Sequence, residues 1–248
     1  RLAYQKRLHE DPYWWILLHY QSGLFGVQSL IDDPQFFLSH EGKENPRAEL
    51  EATLRAFFQD DTTGAGSALC RFIARYTWLK DKLSIDESQL PAGECLEYEK
   101  AMELIKPRSA TLIFPAAYMN NPASMFGHTL INIEGPSPSK LLSHAVNYSA
   151  FTRETNGIVF AVKGIGGLYK GYFSILPYYE KVQQYNDISH RDIWEYRLNL
   201  SEEEVRRMVM HIWELQRIYS YYYFFGENCS YNLLYLLDAA RPSLKMVD

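Results

Sequence analysis

The chain has 248 residues, 47% of them hydrophobic and 22% charged, which is enough apolar material to bury a sizeable core and excludes a disordered polypeptide. Its net charge of −5, from 30 Asp and Glu against 25 Lys and Arg, leaves no basic footprint for a phosphate backbone, so no nucleic-acid partner is expected. No apolar stretch approaches the roughly 18 to 20 residues that a membrane helix needs.

The first hundred residues read as mainly helical. An aromatic-rich stretch over 13–20 is followed by breaks at Gly23 and at Asp32, Asp33 and Pro34. Asn45 as N-cap, Pro46 at the first helical position, and Leu50, Leu54, Phe57 and Phe58 along one stripe predict a helix that ends near 60–64. From about Ser109 the period changes. The segments 111–114, 128–133, 143–148, 157–162 and 193–198 are short, β-branched and aromatic, with Gly and Pro between them, and predict strands. Ser201 and Glu204 form a capping box, behind which Val205, Met208, Val209, Ile212, Trp213 and Leu215 recur at helical spacing. The aromatic run 219–225 reads as a buried strand more readily than as an acyl groove, and it stops at Gly226. A final helix starts at Cys229 and ends at Pro242. The expected architecture is α+β, with a helical portion over 1–108 and a sheet-bearing portion over 109–248 in one body; the boundary between them is soft.

Three cysteines divide as two plus one. A bridge between Cys70 and Cys95 would contribute about 3 kcal/mol in the chain-entropy model and would require an oxidising compartment. Three reduced, buried cysteines are the alternative. The chain starts at Arg1 without a basic-then-apolar leader, which is compatible with a signal already removed. Cys229 stands at a helix start, where the positive end of the helix dipole favours a thiolate. Of the seven histidines, His128 is the best partner, because it opens an expected strand just after a polar, Gly- and Pro-containing loop. A strand-borne imidazole facing a helix-borne thiol is the papain-type arrangement for nucleophilic catalysis.

A third group normally orients the imidazole. The hairpin around Gly135 brings 128–134 back against about 142–148, so His144 and Asn147 are within reach, on opposite faces, and His144 is favoured. The backbone N–H of Cys229 is one expected oxyanion donor, and Tyr118, Asn120 or Asn121 could give the second. A buried cysteine acting as a small hydrophobe and a core histidine are the plainer readings of either residue alone. The glycines at 164, 166, 167 and 171 fit neither a dinucleotide fingerprint nor a phosphate loop. His19, His40, His190 and His211 are too scattered for a metal site, so neither metal nor cofactor is expected.

Several stretches taken together resemble the Lnb N-terminal periplasmic domain family: 15–20, 31–39, 49–53, 70–78, 121–129, 166–171, 191–196 and 227–232. The order of His128 before Asn228 and Cys229 is also similar to the permuted branch of the NlpC-type papain superfamily, which includes lecithin:retinol acyltransferase-like enzymes. That resemblance implies a permuted papain-like sheet, with His144 filling the place of a second histidine, although the intervening turn is longer here. The Lnb resemblance implies an exported, periplasmic or envelope cysteine acyltransferase and is compatible with the soluble part of a membrane-associated protein. Its acyl chain would come from a phospholipid at the membrane surface, rest on Cys229 as a thioester and pass to the amine of a lipoprotein. Two alternatives keep the sequence features: a cell-wall cysteine amidase or endopeptidase, and a non-catalytic envelope binding module.

Overall fold

Helix starts in the N-terminal portion are set by side chains that accept the first free backbone N–H groups. Asp11 accepts from Tyr13 ahead of Pro12, and Asn45 accepts from Ala48 ahead of Pro46. In a computed structural model that describes residues 1–24, 26–59, 66–91, 93–115, 129–150, 157–183 and 192–247, this portion contains six helices. They are α1 (Leu2–Gln5), α2 (Pro12–Leu18), α3 (Pro46–Gln59), α4 (Ala68–Arg71), α5 (Ile73–Leu83) and α6 (Leu96–Ile105). Between α2 and α3 lies an antiparallel hairpin, β1 (Tyr20–Gly23) and β2 (Gly26–Ser29), where the sequence suggested only breaks.

The rest of the chain alternates strands and helices: β3 (Ser109–Pro115), β4 (Leu130–Glu134), β5 (His144–Ala150), α7 (Gly157–Ile165), β6 (Tyr169–Pro177), α8 (Tyr178–Gln183), β7 (Ile193–Arg197), α9 (Glu202–Glu214), β8 (Tyr219–Tyr222) and α10 (Cys229–Ala240). Six of the strands form one antiparallel sheet in the order β7-β3-β4-β5-β6-β8. The fold is α+β. Strand alternation gives the sheet two apolar faces. Ile131, Ile133, Val146 and Tyr148 join Val205, Met208, Leu233 and Leu236 in the main core, which continues into the helical portion through Trp14, Leu17, Phe36 and Leu79. Ile113, Leu130 and Ala145 face the other way, onto Tyr178.

Two expectations need correction. Residues 157–162 do not form a strand; they belong to α7, in which Phe160 packs on Tyr169 and Phe224 while Val159, Val162 and Ile165 face outward at helical spacing. β-Branched content is a weak guide when one anchoring aromatic decides the face. The glycine-rich stretch after it leads into β6, a nine-residue strand with no counterpart in the sequence reading. Gly171 is required there, since a Cβ would collide with the Tyr148 hydroxyl and ring.

Cys70 in α4 and Cys95 at the start of α6 are joined in a disulfide, with Cα atoms 5.2 Å apart. Buried in the main core, Arg75 lies between the Phe36 and Phe72 rings and makes ion pairs with Glu49 (3.0 Å) and Glu214 (3.5 Å). Beside it, His19 and His211 place their Nε2 atoms 3.0 Å apart, and Tyr235 stacks on His19. Among the described residues, no helix is long and apolar enough to cross a membrane.

Candidate active site

Cys229 occupies the first residue of α10, and the turn that delivers it is fixed by Asn228. The Asn228 Oδ1 accepts the Tyr231 N–H at 3.1 Å, and its Nδ2 donates to the Phe224 carbonyl at 3.1 Å. One side chain therefore caps the helix and holds the preceding loop. The Cys229 residue is only 4% exposed, and α10 packs across β4 and β5, the centre of the sheet.

Among the described residues, two contacts mark the surroundings of Cys229. Its backbone N–H, the expected oxyanion donor, is directed at the Tyr222 hydroxyl oxygen at 3.3 Å. The Tyr222 ring stacks on Tyr148 at 5.8 Å between centroids, and Tyr148 packs on Phe173. Burial, and then the neighbouring Cys229, push the Tyr222 phenol well above its usual range, so it remains an O–H donor at any ordinary pH. The second contact joins Thr129 and Ser230, whose hydroxyls are 2.9 Å apart. Thr129 immediately follows position 128, and Ser230 immediately follows Cys229, so the chain returns to the helix start next to the expected histidine. Neither Tyr222 nor Thr129 stood out in the sequence: a tyrosine inside an aromatic run and a threonine opening a strand carry no local mark of a site.

The remaining candidates are distributed as follows. His128, Tyr118, Asn120 and Asn121 lie outside the described residues. His144 is half-buried at the start of β5, opposite Ile133 and Pro177, and burial lowers its pKa. It shares a sheet face with Tyr148 but stands four residues, or about 13 Å, farther along the strand. The hairpin pairs His144 with Ile133, close to the register expected from the sequence, and His128, the residue it was expected to orient, lies outside the described residues. Asn147 is buried opposite Leu130 and Ser174, on the face turned away from α10. Its Nδ2 donates to Ser149 Oγ at 3.2 Å, while its Oδ1 has no partner among the described residues. Within the described residues, neither His144 nor Asn147 is brought to Cys229. No group of three or more His, Cys, Asp or Glu that could hold a metal ion occurs among those residues.

Two family models match the chain. Residues 97–248 match the Lnb N-terminal periplasmic domain, and residues 6–82 match a Domain of unknown function (DUF7843). The disulfide spans the gap between them, from Cys70 inside the second match to Cys95 just ahead of the first. No curated protein and no solved structure matches the chain.

Proposed function

We propose a function from one premise: the chain belongs to the Lnb N-terminal periplasmic domain family. It is a periplasmic protein of the cell envelope, an oxidising setting in which the Cys70–Cys95 bridge persists. The proposed activity is thiol-dependent acyl transfer. Cys229 attacks the ester carbonyl of a phospholipid, His128 takes its proton and later returns it, and the acyl chain rests as a thioester before passing to a lipoprotein amine.

The observation that carries this reading is the Thr129–Ser230 hydrogen bond, because it ties the residue after the expected base to the residue after the expected nucleophile. Tyr222 supports it from the other side. A protonated hydroxyl beside the Cys229 N–H provides two donors in one place, and a developing oxyanion can take the N–H that Tyr222 now accepts. This arrangement replaces Tyr118, Asn120 and Asn121 as the proposed source of the second donor. A permuted papain-like core remains part of the proposal and rests on the order of His128 and Cys229 around the sheet.

A lipid donor is favoured over a cell-wall substrate by the surface next to this corner. Val162, Ile165, Leu168 and Phe225 are all more than half exposed, and Phe224 N–H donates to the Gly164 carbonyl, which holds the α7 end against the loop leading to Cys229. An apolar patch of that kind suits a membrane surface. The deciding experiment is intact-mass analysis after incubation with phospholipid vesicles. An acyl-sized, hydroxylamine-sensitive adduct that disappears in Cys229→Ala is expected. Adduct formation by the Ala variant, or none by the native protein, would remove the assignment.

A further inference from the structure

An open sheet ends in edge strands whose outward backbone groups lack partners, and the two edges of this sheet are treated differently. At β8 the edge is closed. The Tyr219 carbonyl accepts the N–H groups of Asp32 and Asp33, and the Tyr221 N–H donates to Asp32 Oδ2. At β7 the edge is open. The Leu198 N–H donates to the Ala110 carbonyl, so alternation turns residues 194 and 196 toward β3 as well and leaves the N–H and C=O of Glu195 and Arg197 pointing outward. No described residue bonds these four groups, and residues 194–197 are all exposed.

The side chains on β7 suit a second strand. Trp194 and Tyr196 lie opposite Phe114 and Leu112 on the core face of the sheet, yet each is 57% exposed, and Phe114 is 43% exposed. Large aromatics on an unpaired, uncovered edge favour pairing with another chain. Glu195 and Arg197 share the opposite face. The Glu195 carboxylate is held in place by the Tyr178 hydroxyl at 2.6 Å and by Lys140 at 2.5 Å, whereas Arg197 forms no ion pair among the described residues. One acid and one unpaired base therefore stand two residues apart, each carried by a residue whose backbone groups face outward.

We propose that β7 pairs with β7 of a second copy of this chain, antiparallel about a two-fold axis at Tyr196, so that the two sheets join edge to edge. Charge selects the register. Pairing centred on Glu195 or on Arg197 would set like charges directly opposite each other, which is unfavourable. Centred on Tyr196, Glu195 of each copy meets Arg197 of the other, and these are the residues whose outward N–H and C=O groups exchange hydrogen bonds. Trp194 then faces Leu198 across the junction, and the two Tyr196 rings meet on the axis. Such a junction is small, so a dissociation constant on the order of 10 µM is expected. The Tyr222 corner lies at the opposite edge, on β8, and stays uncovered. The pairing does not involve Cys229 and holds whether or not the acyl-transfer reading does.

Sedimentation velocity on the native chain between about 1 and 200 µM should show a monomer–dimer equilibrium, and a monomer throughout overturns the proposal. Charge variants then test the register. Glu195→Arg makes both edge charges basic and Arg197→Glu makes both acidic, so each variant alone should associate about tenfold more weakly or worse. An equimolar mixture of the two restores both opposite-charge pairs and should recover native association. Native-strength association of either variant alone, or a mixture that stays monomeric, overturns the proposal. Cysteine cross-linking gives an answer that does not depend on the charge variants folding. Opposite residues that exchange no backbone bonds have Cα atoms about 4.5 Å apart, within reach of a disulfide, so Tyr196→Cys should form a covalent dimer on a non-reducing gel. Trp194→Cys would face position 198 and should not. Equal cross-linking of the two variants, or none with Tyr196→Cys, overturns the proposal.

Discussion

Tyr222 combines structural and chemical roles in one side chain: its ring stacks on Tyr148, which packs tilted against Phe173 in the core, and its hydroxyl meets the Cys229 N–H. Replacing it with Phe keeps the ring and removes only the hydroxyl. The expected outcome is a loss of about 10²- to 10³-fold in the rate of Cys229 acylation, the range for one oxyanion donor, with the melting temperature nearly unchanged. A Tyr222→Phe protein that acylates at the native rate would show that the hydroxyl only supports the loop. Cys229 could be marked in advance as a helix-start thiol, because Asn228 and Gly226 are adjacent in sequence. The partner hydroxyl could not, since nothing local distinguishes Tyr222 from the tyrosines beside it.

Element by element, strong local signals matched the structure where a side chain bonds its own helix. The capping box of α9 is present, with Ser201 Oγ accepting from Glu204 N–H and the Glu204 carboxylate accepting from Ser201 N–H. Ser201→Ala should cost about 1 kcal/mol, read as a lower urea midpoint with an unchanged slope. Signals failed where only side-chain type was available, as in α7, whose valines and isoleucine suggested a strand. The outward stripe of that helix makes its own prediction. Val162→Glu and Ile165→Glu together should abolish sedimentation with phospholipid vesicles while leaving thermal stability within about 0.5 kcal/mol of native, because both side chains are mostly exposed. Vesicle binding that survives both changes would take α7 out of any membrane contact.

Across the whole molecule, the two matched regions share one core, and their most distinctive joint is ionic. Arg75 on α5 reaches Glu49 on α3 and Glu214 on α9, all fully or almost fully buried. Removing the cation in Arg75→Ala strands two carboxylates, and a loss of about 3–5 kcal/mol is expected in chemical unfolding. His19, at the same joint, sets a pH dependence. Burial, and then His211 and Arg75, hold its pKa well below the ordinary value of 6.5, so the folded state keeps it neutral while the unfolded chain takes a proton. Its contribution is therefore complete above about pH 6.5 and is lost as the pH falls below that, by up to about 1.4 kcal/mol per pH unit. Urea unfolding at pH 7.5 and 5.5 checks the sign: His19→Asn should flatten the difference, and an unchanged difference would assign it to other groups. The Cys70–Cys95 bridge closes a loop between the two regions, and reduction should lower stability by about 3 kcal/mol.

The sequence by itself determined what one stretch of chain can settle from its own atoms: the caps at Asn45 and Ser201, the helix that begins at Cys229, strands at 111–114 and 193–198 that the structure places at 109–115 and 193–197, and the residues that carry the family likeness. Tertiary structure alone decided which hydroxyl meets the Cys229 N–H, and that 20–23 and 26–29 pair as a hairpin walling a cavity beside Glu227. Local signals fix conformation within a few residues. Register across a hairpin and contact between residues a hundred positions apart depend on which faces are buried together, a property of the folded whole.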